Sequence, residues 1–163
     1  MREGEKRGPI GRRTTNPYFE DHKYPEPTEC PRCHLVYRNG RWQTGEIAVD
    51  ENAQRSPCPA CRREADRYPG GLVTLRGEYL RDHHQEILNI ARNQATAAAR
   101  SRPLQRIMWI EDDPAEGTTE IATTNSHLAV RIGKAIVGAC KGQLDVKRAS
   151  EDQLARVYWE RGA

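Results

Sequence analysis

The chain has 163 residues, enough for one ordinary domain or two small ones, and only 36% of them are hydrophobic against 30% charged, which excludes one large apolar core. No stretch approaches the 18 uncharged apolar residues of a membrane span, and the first thirty residues carry no apolar export segment, so a cytoplasmic protein without membrane contact is expected. The net charge of +3 is too small to identify a partner by itself, but it is unevenly spread.

Residues 1–18 carry five basic side chains (Arg2, Lys6, Arg7, Arg12 and Arg13) against two acidic ones, among Gly, Pro and Thr with almost nothing apolar. Residues 1–23 therefore read as a basic tail that is disordered when alone. Pro25 and Pro27 lead stiffly into Cys30-Pro31-Arg32-Cys33, and after 24 intervening residues comes Cys58-Pro59-Ala60-Cys61. Two residues between cysteines let both sulfurs of a tight turn reach one ion at ~2.3 Å, and two such turns supply the four thiolates of a closed zinc site. Without an export signal the pairs point to metal ligation and not to disulfides. One structural Zn2+ on Cys30, Cys33, Cys58 and Cys61 is thus expected, with His34 and His22 as the other candidate ligands. Four protein ligands leave no open position for hydrolytic chemistry.

Between the pairs, residues 35–43 form two short strand-like runs around Asn39-Gly40, the dipeptide best suited to the positive φ angles of a type I′ hairpin turn. Residues 71–77 read as a strand closed by glycine. Residues 78 to about 100 lack Gly and Pro and predict one long helix whose stripe is Leu80, Ile87, Leu88, Ala91 and Ala98.

After Pro103 the period changes to two. Residues 107–110 and 118–123 predict a hairpin with an acidic loop, and Asn125 or Ser126 caps a helix over 127–141 with Leu128, Ile132, Ala135, Ile136, Ala139 and Cys140 on its apolar side. Strands at 143–147 and 155–159 complete a ββαββ unit. The expected fold class is α+β, divided into a tail (1–23), a four-cysteine zinc ribbon (24–77), a connecting helix (78–103) and the ββαββ domain (104–163).

Nucleotide-binding and catalytic patterns are missing. Gly133-Lys134 lacks the glycine and hydroxyl positions of a phosphate loop, and no Gly-x-Ser-x-Gly or His-Glu-x-x-His occurs, so no enzyme and no small-molecule substrate is expected. The basic residues offer another chemistry. His127, Arg131, Lys134 and Lys141, with Gly138 between them, recur at helical spacing opposite the apolar side, and the ribbon adds Arg32, Arg38, Arg41, Arg62 and Arg63, with Arg76 close to its end. Such cations contact phosphates in nucleic-acid binding.

Taken in order, the two Cys-Pro-x-Cys turns, Leu75-Arg76-Gly77, a helix, and a strand-helix-strand unit around Thr123-Thr124-Asn125-Ser126-His127-Leu128-Ala129 resemble the N-terminal half of the nonsense-mediated-decay family. That family includes the nuclear-export adaptor of the large ribosomal subunit and its archaeal relatives. The run Tyr68-Pro69-Gly70-Gly71 through Gly77, with Glu86-Ile87-Leu88-Asn89, is also similar to a group of small bacterial zinc-ribbon proteins. The adaptor family carries more zinc cysteines than the four here. The resemblance implies a ligand of the joining face of the large subunit, bound through ribosomal RNA and in contact with ribosomal proteins, in maturation or dormancy. The rival expectation is a protein adaptor in a regulatory complex without RNA.

Overall fold

A computed structural model describes residues 18, 24–44, 53–148 and 154–163. The tail cations Arg2, Lys6, Arg7, Arg12 and Arg13, and His22, lie outside them. The class is α+β, built on two sheets.

The first sheet is small. Strands β1 (Thr28–Glu29), β2 (Val36–Arg38), β3 (Arg41–Gln43) and β4 (Gln54–Arg55) lie in the order β3-β2-β1-β4. Asn39 and Gly40 adopt φ of 58° and 80°, the geometry of the expected type I′ turn, and Arg38 pairs directly with Arg41 across it. The Glu26 carboxylate accepts from the backbone N–H groups of Asn39 and Gly40 at 2.9 and 3.1 Å and so fixes the turn. Tyr24, Tyr37 and Trp42 pack edge to face with centroids 5.1 to 5.5 Å apart. Helix α1 (Pro59–Asp66) follows, with Pro59 at its first position and Cys58 as its N-cap.

The second sheet holds β5 (Gly71–Arg76), β6 (Ile107–Asp113), β7 (Thr118–Thr123), β8 (Gln143–Lys147) and β9 (Ala155–Glu160), in the order β6-β7-β5-β9-β8. The expected hairpin of β6 with β7 exists, and β8 pairs antiparallel with β9, but the two pairs do not touch one another. Strand β5 lies between them, antiparallel to β7 and parallel to β9. Residues 71–77, read above as the end of the ribbon, therefore supply the centre of the second sheet, and the boundaries at 77 and 103 do not follow the sheets. The cause is long-range pairing: β5 hydrogen-bonds along both edges to strands more than forty residues away, which local pattern does not reveal.

The long helix is broken. Helix α2 (Glu78–Asp82) and helix α3 (His84–Ser101) are separated at His83, whose backbone leaves the helical region and whose ring stacks on Tyr79 at 3.8 Å. Helix α4 (Ser126–Cys140) is capped by Asn125, whose side chain accepts from the Leu128 N–H at 3.0 Å. Together α3 and α4 cover one face of the five-stranded sheet. Their Ile87, Leu88, Ala91, Leu128, Ile132 and Ile136 form the core with Val73, Leu75, Ile121, Val157 and Trp159. Helix α4 lies very close: a Cβ on Gly133 would meet Val157 at 2.6 Å, and one on Gly71 would meet Ala129 at 2.5 Å. Gly133 is thus a packing glycine.

Because β5 completes the sheet, a fragment of residues 104–163 lacks its central strand and exposes Ile121 and Val157. We expect that fragment to give an unfolded circular dichroism spectrum, while residues 70–163 melt cooperatively. Cooperative melting of residues 104–163 alone contradicts this topology.

Candidate metal centre

Two different local structures bring the four cysteines together. Cys30 and Cys33 sit in the turn between β1 and β2, closed by Cys30 N–H to the Leu35 carbonyl at 2.8 Å and His34 N–H to the Cys30 carbonyl at 2.9 Å, with His34 at φ 66°. Cys58 and Cys61 stand at the N-terminus of α1, where the Cys61 N–H donates to the Cys58 sulfur at 3.4 Å. Unsatisfied N–H groups and the helix dipole make that end electropositive, which favours thiolate.

The four Sγ atoms lie within 4.8 Å of one another, and the Cys33 and Cys58 sulfurs are 3.7 Å apart. Tetrahedral coordination at ~2.3 Å requires sulfur–sulfur edges of ~3.8 Å. All of these cysteines are free of disulfides. Cys30, Cys58 and Cys61 are buried and Cys33 is half-buried, so the donor set, its spacing and its seclusion fit one structural zinc. His34 is not part of it: its Nδ1 faces Glu29 at 3.1 Å and its side chain is 66% exposed.

Without a cation, burial pushes the Cys58 and Cys61 thiols up, while Cys30, despite its own burial, is brought down to about 6 by the N–H groups of Cys33, Cys58 and Arg32. A coordinated divalent cation deprotonates such thiols outright. A partly buried cation also faces the sulfurs. Arg106, from the segment before β6, places Nη2 at 3.1 Å from Cys33 Sγ and 3.6 Å from Cys58 Sγ, and Nη1 at 3.4 Å from Cys61 Sγ. Its side chain is 21% exposed, and its other partners are the Pro103 carbonyl at 3.2 Å and Glu64 at 3.7 Å. Burial works against its charge, but the hydrogen bonds to Cys61 and Cys33 prevail and hold its pKa above the ordinary arginine value. Sequence reasoning missed Arg106, because only the fold brings residue 106 to residues 33 and 61. Helix α1 was missed as well, although Pro59 after a capping residue signalled its start.

The expected phosphate-binding residues are dispersed. Arg32 and Arg41 are exposed, and Arg38 is half-buried with its Nε lacking a hydrogen-bond partner. Arg62 and Arg63 are drawn into the fold's own contacts: Arg62 donates to Tyr24 Oη at 3.4 Å, and Arg63 lies 4.5 Å over the Tyr18 ring and donates to the Tyr68 carbonyl. His127, Arg131, Lys134 and Lys141 form one exposed stripe along α4 and its C-cap, with Arg131 donating to Gln94 of α3. Arg76 alternates with the buried Leu75 and so belongs to the opposite face of the sheet from α4.

Comparison with protein-family models, curated proteins and solved structures finds no match. The family resemblance therefore rests on the motifs, and the site on its geometry.

Metal analysis should give about one zinc per chain, and Cys33→Ser should lose it and unfold the ribbon, since structural zinc free energy is folding free energy. Zinc retained at full stoichiometry with unchanged melting in Cys33→Ser contradicts the four-cysteine site. The ligating thiols titrate lower in the folded, metal-bound state than the ordinary ~8.5, so the stability they confer is present above that value and lost as pH falls. Acid titration should release zinc and ribbon structure together. Loss of structure with zinc still bound contradicts the linkage.

Proposed function

We propose that this is a non-enzymatic zinc-ribbon protein that binds ribosomal RNA, at the joining face of the large subunit, in ribosome maturation or dormancy. The observation that carries RNA binding is the set of arginines without a carboxylate partner among the described residues of the ribbon. Its described carboxylates are engaged internally: Glu26 at the hairpin turn, Glu29 with His34 and Arg55, Glu64 with Arg106, and Asp66 as acceptor from Tyr18. Arg32, Arg38 and Arg41 have no carboxylate partner among the described residues. Arg38 and Arg41 also stand directly opposite each other, an arrangement that is destabilising unless an anion joins them. A polyphosphate backbone supplies such anions, and the planar guanidinium suits phosphate geometry.

Tyr18 links the tail to the same unit. Its hydroxyl donates to Asp66 at 2.5 Å and its ring packs against Tyr68 at 5.6 Å, so a residue of the tail itself, on the C-terminal side of Arg13, meets the end of α1. The ribosome as the source of the RNA is supported by the order of motifs shared with the adaptor family. Zinc on this reading is a scaffold that holds the arginine-bearing hairpin rigid.

Binding to purified large subunits should weaken steeply between about 50 and 200 mM salt. Arg38→Gln with Arg41→Gln should leave zinc content unchanged and lower the salt slope by about 1.4 to 1.8, two phosphate contacts at 0.7 to 0.9 each. Binding insensitive to salt and to both substitutions points to a protein-binding adaptor and contradicts the RNA reading.

A further inference from the structure

We propose that Arg106 makes the zinc centre the latch that seats the ribbon on the five-stranded sheet, so that zinc affinity and docking of the two sheets are coupled. The inference rests on the zinc assignment and is independent of the RNA reading.

Arg106 belongs to the second sheet by its backbone. Its N–H donates to Thr124 Oγ1 at 3.0 Å, its carbonyl accepts from the Thr124 N–H at 2.9 Å, and its Nε donates to the Pro103 carbonyl at 3.2 Å. The residue is thus anchored where β6 begins, beside the end of β7. Its guanidinium belongs to the ribbon, where it reaches three of the four cysteine sulfurs from the two separate turns. Close by, Leu104 packs into the ribbon core, and Arg67 at the end of α1 stacks 3.9 Å over Trp109 and pairs with Glu111 at 3.1 Å. The exposed Arg67–Glu111 pair contributes little.

The metal completes the acceptor that Arg106 needs. Four thiolates around one divalent ion leave two negative charges, and N–H donors to charged sulfur make the stronger, charge-assisted kind of hydrogen bond. Without the ion only the short β1–β4 pairing and the small ribbon core hold the sulfurs of the two turns near one another, and the array that the guanidinium bridges loosens. Arg106 then keeps the neutral Pro103 carbonyl and, as its one carboxylate among the described residues, Glu64 at 3.7 Å, and a poorly compensated cation at low exposure is costly. Zinc binding therefore favours the docked arrangement, and by linkage the docked arrangement favours zinc by the same factor. Arg106 is a positioning residue, acting on the metal through its ligands.

The test uses the full-length protein with zinc or cobalt(II). Removing a residue that orients metal ligands typically lowers metal affinity about 10–100-fold, and Arg106→Met is expected in that range. In the cobalt(II) form its sulfur-to-metal charge-transfer band should shift, because uncompensated thiolates are better electron donors. With zinc saturating, hydrogen exchange should accelerate in residues 59–67 and 103–111, while residues 128–140 stay as in the wild type. Arg106→Lys keeps the cation without the fork and should fall between the two. Wild-type affinity and an unshifted band in Arg106→Met overturn the proposal. Weakened affinity with unchanged exchange in both segments also overturns it, because the centre is then not a latch. If Arg106→Met does not fold, Arg106→Lys decides: it must still lose zinc affinity severalfold and shift the band, and a lysine variant identical to the wild type refutes the latch.

Discussion

The ribbon cannot hold itself together by apolar burial. Among the described residues its core consists of Cys30, Leu35, Tyr37, Trp42, Cys58, Ala60 and Cys61, bordered by Tyr24, Cys33 and Leu104, so the four cysteines are a large share of what is buried there. Strands of two and three residues add few ladder bonds. A core of this size is marginal in water, and small domains of this kind are stabilised by a metal or by cross-links. The thiolate–zinc centre is the constraint from which the rest follows: it joins a β-turn to a helix N-terminus, holds the hairpin in place, and presents negative charge to Arg106.

The surface chemistry follows from the same constraint. Among the described residues of the ribbon, carboxylates hold backbone and side chains in position, and Arg32, Arg38 and Arg41 are left without a carboxylate partner. The larger unit behaves differently. Its open sheet face carries both signs, Glu111, Asp113, Glu120, Asp145 and Glu160 against Arg76, Lys147 and Arg156, and its aromatic rings are covered by cations, Trp109 by Arg67 and Tyr158 by Lys147.

Local features were legible in the sequence. Spacing identified the four cysteines, Asn39-Gly40 identified the turn, and helical periodicity found α4 with its Asn125 cap and the buried stripe Leu80, Ile87, Leu88, Ala91 and Ala98. Features that depend on distant pairing were not legible. Strand β5 reads as a neighbour of the ribbon because it follows it in the chain, yet its alternate residues Val73 and Leu75 belong under α4. The break at His83 has no Gly or Pro to announce it; the stacking of His83 on Tyr79, with Arg161 over Tyr79 at 3.9 Å, accompanies it. Arg106 looked like one arginine among many, and its importance depends on a guanidinium lying within 3.6 Å of three sulfurs that are 45 to 73 residues away.

The central claim is a closed tetrahedral thiolate centre, and zinc K-edge X-ray absorption on the purified protein tests it most directly. The account predicts a single shell of four sulfur scatterers at ~2.3 Å. A nitrogen or oxygen scatterer in that shell, as an imidazole or a water ligand would give, contradicts it.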